Sequence, residues 1–180
     1  GWRQAGQRRW LWLAATATVA CFKVCMGRGK AALRELLGEA IQGVVGSDRW
    51  SAYNQVDLFC RQLCWAHLKR DFQKWVDRGG QAGLQVGQSG LEAARQLFAL
   101  WRDVRQKRID RATLQIALIP VQERLRAALE GGASSDDVRV RRFSLNVLGV
   151  YPALWTFARV EGVEPTNNHA ERTLRRAVIW

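Results

Sequence analysis

The sequence predicts an α/β protein. Two adjoining apolar, β-branched runs lead into an amphipathic helix and a further short apolar strand, and a long stretch of helical periodicity then fills the middle of the chain. At 180 residues, 48% of them hydrophobic and nine of them tryptophan, the chain has material for one packed domain with a real core.

The elements follow in order. Residues 9–17 and 19–26 are apolar and β-rich and meet near Ala17-Thr18, so they read as adjacent antiparallel strands. Residues 29–40 place Ala32, Leu33, Leu36 and Leu37 on one face, the stripe of a helix packed on a sheet. Gly43-Val44-Val45-Gly46 is a short buried strand whose end delivers Ser47 and Asp48. Residues 61–65 make another strand, and residues 67–76 a helix that runs into Gly79-Gly80, giving the order β-β-α-β-(α)-β-α. From Gly79 to Gly90 the chain is rich in Gly and Gln, which predicts a loop. Residues 91–108 and 112–130 are helical, the first with Leu91, Ala94, Leu97, Phe98 and Trp101 on one stripe; Gly131 to Ser135 closes the second, and residues 136–148 form a third. The expected domain plan is an α/β core of residues 1–78 and 149–180, with residues 79–148 as a helical insertion.

Charge narrows the function. Against 16 acidic residues stand 28 Lys and Arg, a formal net charge of +12, which favours a polyanionic partner through phosphate contacts and counterion release. No apolar run reaches the roughly 18 residues a membrane-spanning helix needs; Leu11 to Met26 comes closest, is interrupted by Lys23 and reads as strands. No membrane partner is expected, and the expected location is the bacterial cytoplasm, associated with the nucleoid. The opening Gly1-Trp2-Arg3 and the apolar close Ala177-Val178-Ile179-Trp180 read as cut ends of a longer chain.

The four cysteines form two pairs of equal spacing, Cys21 with Cys25 and Cys60 with Cys64, and His67 follows three residues after Cys64. Structural zinc sites more often leave two residues between paired cysteines, and in strands a spacing of four puts both thiols on one buried face. The spacing therefore favours small buried hydrophobes over zinc.

Four separated segments, in order along nearly the whole chain, carry a resemblance. They are Gly1-Trp2-Arg3 with Arg8-Arg9-Trp10-Leu11-Trp12; Ser47-Asp48-Arg49-Trp50-Ser51-Ala52-Tyr53; Arg61-Gln62-Leu63-Cys64-Trp65-Ala66-His67-Leu68-Lys69-Arg70-Asp71-Phe72; and Pro165-Thr166-Asn167-Asn168-His169-Ala170-Glu171-Arg172. Together they resemble the DDE transposases of the insertion sequence 66 family. The resemblance implies a ribonuclease-H-like mixed sheet with an inserted helical region, two divalent ions, Mg2+ or Mn2+, and DNA strand cleavage and joining. Asp48 resembles the family's second catalytic, metal-binding acid, and Glu171 its third. The first Asp of the family falls in a motif just ahead of Gly1, on the first central strand, so neither that acid nor that strand is assigned here. The chain is accordingly expected to be inactive on its own, with its neighbouring strand edges open to aggregation. The implied partners are DNA, as transposon ends and target, and a homodimer or synaptic complex.

Other readings of these residues stay open. Glu171 stands three positions after Asn168, the spacing of a capping box, and Asp48 has the place of an N-cap for a turn through Trp50 to Val56. Asn167 and Asn168 serve equally as caps that position Glu171. Arg172, Arg175 and Arg176 form a basic helix surface; Lys69, Arg70 and Lys74 a second stripe; Arg102, Arg105, Lys107 and Arg108 a third. With Arg49, Asn167 and Asn168, the first two stripes supply the expected DNA contacts at Lys69, Arg70, Arg172, Arg175 and Arg176, while solvated faces are the alternative. His169 reads as a surface residue or a group facing DNA, and Trp50 and Tyr53 as core residues or stacking platforms. Two functions follow: the catalytic core of a transposase, or an inactive transposase remnant that only binds DNA.

Overall fold

A computed structural model describes residues 2–178. β1 (Trp2–Gln4), β2 (Gln7–Ala15) and β3 (Ala20–Cys25) form an antiparallel sheet with β2 in the middle. Gln4 pairs with Gln7 across Ala5-Gly6, whose φ angles of 49° and 76° give the two-residue turn that matches strand twist. The β2–β3 turn falls where expected: Thr16 N–H donates to Val19 O at 2.8 Å, and the Thr16 hydroxyl accepts from Val19 N–H at 3.0 Å. Trp12 on β2 is buried with Cys25, with Ala32 and Leu33 of α1 (Lys30–Leu37), and with Ala52 and Val56. The helix is shorter than its apolar pattern because Gly38, at φ 79°, turns the chain out while its N–H closes on Arg34 O.

β4 (Val45–Ser47) and β5 (Arg61–Leu63) pair in parallel, Ser47 opposite Leu63. Between them run two short 3-10 turns, Ser51–Gln55 and Leu58–Cys60, where the sequence suggested a helix. β5 carries two polar side chains into the interior, and both are satisfied. Arg61 donates to Ser47 Oγ at 3.0 Å, to Asp48 O at 2.8 Å and to Tyr53 O at 3.4 Å. Gln62 accepts Phe157 N–H at 2.6 Å and donates to Leu154 O at 3.2 Å, while Thr156 donates to Arg61 O at 2.7 Å. These bonds fasten the chain around α6 (Thr156–Arg159) to β5.

The remainder is helical: α2 (Trp65–Arg78), α3 (Gln81–Arg105), α4 (Arg111–Ala133), α5 (Val138–Leu148) and α7 (Asn168–Val178). The expected loop over Gly79 to Gly90 is corrected here. Only Gly79 and Gly80, at φ 75° and 82°, turn the chain, and α3 begins at Gln81. Gly83, Gly87 and Gly90 recur along the α3 face that lies on α2: a Cβ on Gly90 would sit 2.2 Å from the Phe72 ring, and one on Gly87 2.8 Å from Phe72 O. Those glycines let two helix backbones approach, so what looked like loop composition is a packing surface. Asp110 and Asp137 cap α4 and α5 by accepting backbone N–H groups at 2.7 Å (Thr113) and 2.8 Å (Arg139).

Leu63, Trp65, Leu68 and Phe72 share one core with Leu97 of α3, Leu118 and Leu125 of α4, Val147 of α5 and Phe157 of α6. The helical segment therefore packs directly behind β5 and α2. Among the described residues no helix is long and apolar enough to cross a membrane. The cysteines depart from expectation. Cys25 is buried but Cys21 is exposed, because the far end of β3 extends beyond the cover of α1; Cys60 lies in a 3-10 turn and Cys64 at the head of α2, so their spacing is not a strand repeat.

Candidate functional site

The site is built at the ends of the two parallel strands. In open α/β sheets the carboxyl ends of parallel strands are where ligands bind. Asp48 follows β4 directly; its carbonyl accepts Arg61 Nη2 at 2.8 Å and its Oδ1 accepts Trp50 N–H at 2.9 Å, a local turn that precedes the 3-10 segment without capping it. Cys64 follows β5, its N–H donating to Ser47 O at 2.8 Å, and one turn of α2 then raises His67. The chain before α7 lies alongside: Trp65 N–H donates to Pro165 O at 3.0 Å, and Asn167 N–H donates to Cys64 Sγ at 3.4 Å.

Glu171 comes from the first turn of α7. Its backbone N–H donates to Asn167 O at 3.2 Å, but its carboxylate does not close a capping box. It crosses to α2 instead, where Oε1 lies 2.6 Å from His67 Nε2. The contact has the distance of a charge pair without hydrogen-bond alignment, and Oε1 is shielded from water with no other partner among the described residues. Cys64 Sγ completes the group: one donor atom each from Cys64, His67 and Glu171 lie within 4.8 Å of one another. The sequence carried a trace of this cluster in the three-residue step from Cys64 to His67; its third member was visible only as a family position.

His67 also shares a cleft with Asp48. Both line an open cleft of about 530 Å3 whose other walls are Arg49, Trp50, Arg70, Asp71 and Lys74. Of the two carboxylates expected from the sequence, Asp48 shares this cleft with the imidazole and Glu171 contacts it.

The cations are placed unequally. Lys69, Arg70, Arg172 and Arg175 are exposed, as are Asn168 and His169. Arg49 is committed inward: it donates to Asp71 Oδ2 at 2.5 Å and to Asn146 Oδ1 at 2.6 Å, and lies over the Phe143 ring. Burial pushes the Asp71 carboxyl up, yet hydrogen bonds and charge from Arg49 and Lys74 outweigh it and hold the group below its ordinary value. Asn167 is half-buried, with its N–H and C=O both engaged. The side chain of Arg176 lies outside the described residues. Of the third stripe, Arg102, Arg105, Lys107 and Arg108 are exposed at the end of α3, with Arg108 paired to Asp103 at 2.8 Å. The two aromatics separate. Tyr53 packs on Trp12 under Arg61, and burial raises its phenol to about 12. Trp50 stays on the cleft rim, with the Arg28 guanidinium 3.9 Å above its ring.

A model of the family described as Transposase IS66 family matches residues 2–180. The chain belongs to this transposase family. No curated protein and no solved structure matches it. Membership gives the protein a transposition function and DNA as its substrate class.

Proposed function

We propose that this protein provides Asp48 and Glu171 to a site that cleaves and joins DNA strands at the ends of a mobile element. One observation carries the reading: at the carboxyl end of the β4–β5 pair His67 lines one cleft with Asp48 and contacts Glu171, although the two acids are far apart in sequence. On this reading residues 1–78 and 149–180 carry the site on a ribonuclease-H-like core, and residues 79–148 are a helical insertion that buttresses α2.

The donors present suit Mg2+ or Mn2+. Carboxylate oxygens are the ligands such hard ions take, and Glu171 Oε1 is shielded yet without an aligned hydrogen-bond donor, the state a cation would relieve. When bound, two such ions would activate the attacking oxygen and stabilise the leaving oxygen of an in-line displacement. The protein groups have separate tasks. Arg61 fixes the Asp48 backbone, and the Trp50 N–H fixes one of its carboxylate oxygens. His67 lies 2.6 Å from Glu171 Oε1 and would help hold the carboxylate at the site. Arg70 on the cleft wall, with exposed Lys69 beside it on α2 and exposed Arg172 and Arg175 on α7, would hold backbone phosphates and set the register of the strand. Water would attack first, and the freed 3′-hydroxyl would then attack target DNA, with no covalent intermediate on the protein.

The test is cleavage of element ends by the complete transposase in Mg2+, comparing wild type with Asp48→Ala and Glu171→Gln. Loss of cleavage with retained DNA binding is the expected result. Cleavage that survives either substitution overturns the assignment, and binding without cleavage in the wild type would make the protein a DNA-binding remnant.

A further inference from the structure

The cluster at the head of α2 has a donor set that magnesium does not explain. Mg2+ takes oxygen ligands, whereas Cys64 offers sulfur and His67 a ring nitrogen, the combination selected by borderline-soft divalent ions. We propose that Cys64 Sγ, His67 Nε2 and Glu171 Oε1 form a zinc-class metal site, distinct in chemistry from the carboxylate site that shares Glu171. Around tetrahedral zinc, bond lengths of about 2.0–2.3 Å set donor separations near 3.5 Å. His67 and Glu171 stand 2.6 Å apart and all three donors lie within 4.8 Å of one another, so modest side-chain adjustments reach that spacing.

Three further observations favour ligation. The donors sit on two helix starts and not on loops, so small side-chain rotations bring them onto one ion. Cys64 Sγ already accepts the Asn167 N–H, the kind of outer-shell bond that supports a metal thiolate. Glu171 Oε1 faces an imidazole nitrogen without hydrogen-bond alignment, which leaves both atoms available to a shared cation. With three protein donors the fourth position is left to water, and His67 lines the Asp48 cleft from which that water would come.

The consequence rests on the proposed role of Glu171 in cleavage. A zinc ion held by Cys64 and His67 would occupy the Glu171 carboxylate, so zinc at this site and Glu171 in the carboxylate site would compete.

The experiment is a Co2+ titration of the chain under reducing conditions, followed by displacement with Zn2+. A thiolate-to-cobalt absorption in the near ultraviolet and intense tetrahedral bands in the visible are expected, both erased by Zn2+ and both absent in Cys64→Ser. Cys21→Ser and Cys60→Ser should leave them intact. His67→Ala and Glu171→Gln should each weaken Co2+ binding by more than about tenfold, since outer-shell changes alone cost that much. Should Cys64→Ser fail to fold, judged by near-ultraviolet circular dichroism, the partly exposed His67→Ala decides alone. Bands that persist without Cys64, an unchanged affinity in His67→Ala, or no cobalt absorption at all overturn the proposal. Because this readout is spectroscopic and needs no DNA, it stands or falls independently of whether Glu171 serves in cleavage.

Discussion

His67 Nε2 lies 2.6 Å from Glu171 Oε1, which joins the first turn of α2 to the first turn of α7. The pair is about one-third exposed on each side, so its worth lies in orientation more than in stability. Exposed pairs contribute only about 0.2–1 kcal/mol. In His67→Ala the urea midpoint should therefore move little, whereas Mg2+-dependent cleavage by the complete transposase should fall about 10- to 100-fold, as for loss of an outer-shell partner. A variant that cleaves like wild type would remove His67 from the site.

Gly90 tests the close approach of α2 and α3. Its Cβ would fall inside contact distance of the Phe72 ring, at 2.2 Å, so Gly90→Ala should cost about 1–3 kcal/mol or more through overpacking. Gly131 is the control. Nothing lies within 4 Å of a Cβ there, and Gly131→Ala in the last turn of α4 should be neutral or gain up to about 1 kcal/mol from helix propensity. Chemical denaturation of both variants reads the contrast.

Arg61 is fully buried and serves Ser47, the Asp48 carbonyl and Tyr53 at once. Arg61→Met keeps much of the apolar stem but strips four acceptors, Asn54 Oδ1 among them, of their donor, and should lower stability by about 2–4 kcal/mol. Arg61→Lys cannot restore it, because one ammonium does not reproduce the fork. Equal stability of the lysine variant and wild type would contradict this account.

Alkaline pH should unfold the protein through its two tyrosines, Tyr53 and Tyr151. Burial raises both phenols from 10 to about 12. A raised acid in the folded state favours its neutral form, so this contribution to stability is complete below pH 10 and is lost as pH climbs from 10 towards 12. Phenolate absorbance should accordingly appear together with loss of tryptophan near-ultraviolet dichroism. Ionisation of either tyrosine near pH 10 with the fold intact would mean that its hydroxyl is open to water.

DNA binding should separate the cations by their commitments. Lys69→Ala, Arg70→Ala, Arg172→Ala and Arg175→Ala should each reduce the slope of log affinity against log salt by about 1 for every phosphate left without its cation. Arg49 is tied to Asp71 and Asn146, so Arg49→Ala should lower stability while leaving the salt slope near that of wild type. Fluorescence anisotropy across a range of salt concentrations distinguishes the two groups.

The order of elements was legible in the sequence because local chemistry writes it: the strand pair at residues 7–25, the amphipathic face of α1 and the helices from residue 91 to 148 each follow from period and caps. The family was legible too, since four ordered motifs carry it. The loop expected at Gly79 to Gly90 failed because glycine has two uses, and only the partner helix tells a turn from a close approach; Phe72 meets Gly90 only once α2 and α3 have folded together. The cysteines failed similarly, since equal spacing says nothing of which end of β3 is covered. Sequence singled out Asp48 and Glu171, but their relation to each other is set by the parallel pairing of β4 with β5 and the Trp65–Pro165 hydrogen bond. Composition and local period determined what the pieces are. Which donor atoms meet, those of Cys64, His67 and Glu171, was decided by packing, because the meeting of distant segments leaves no periodic mark on either one.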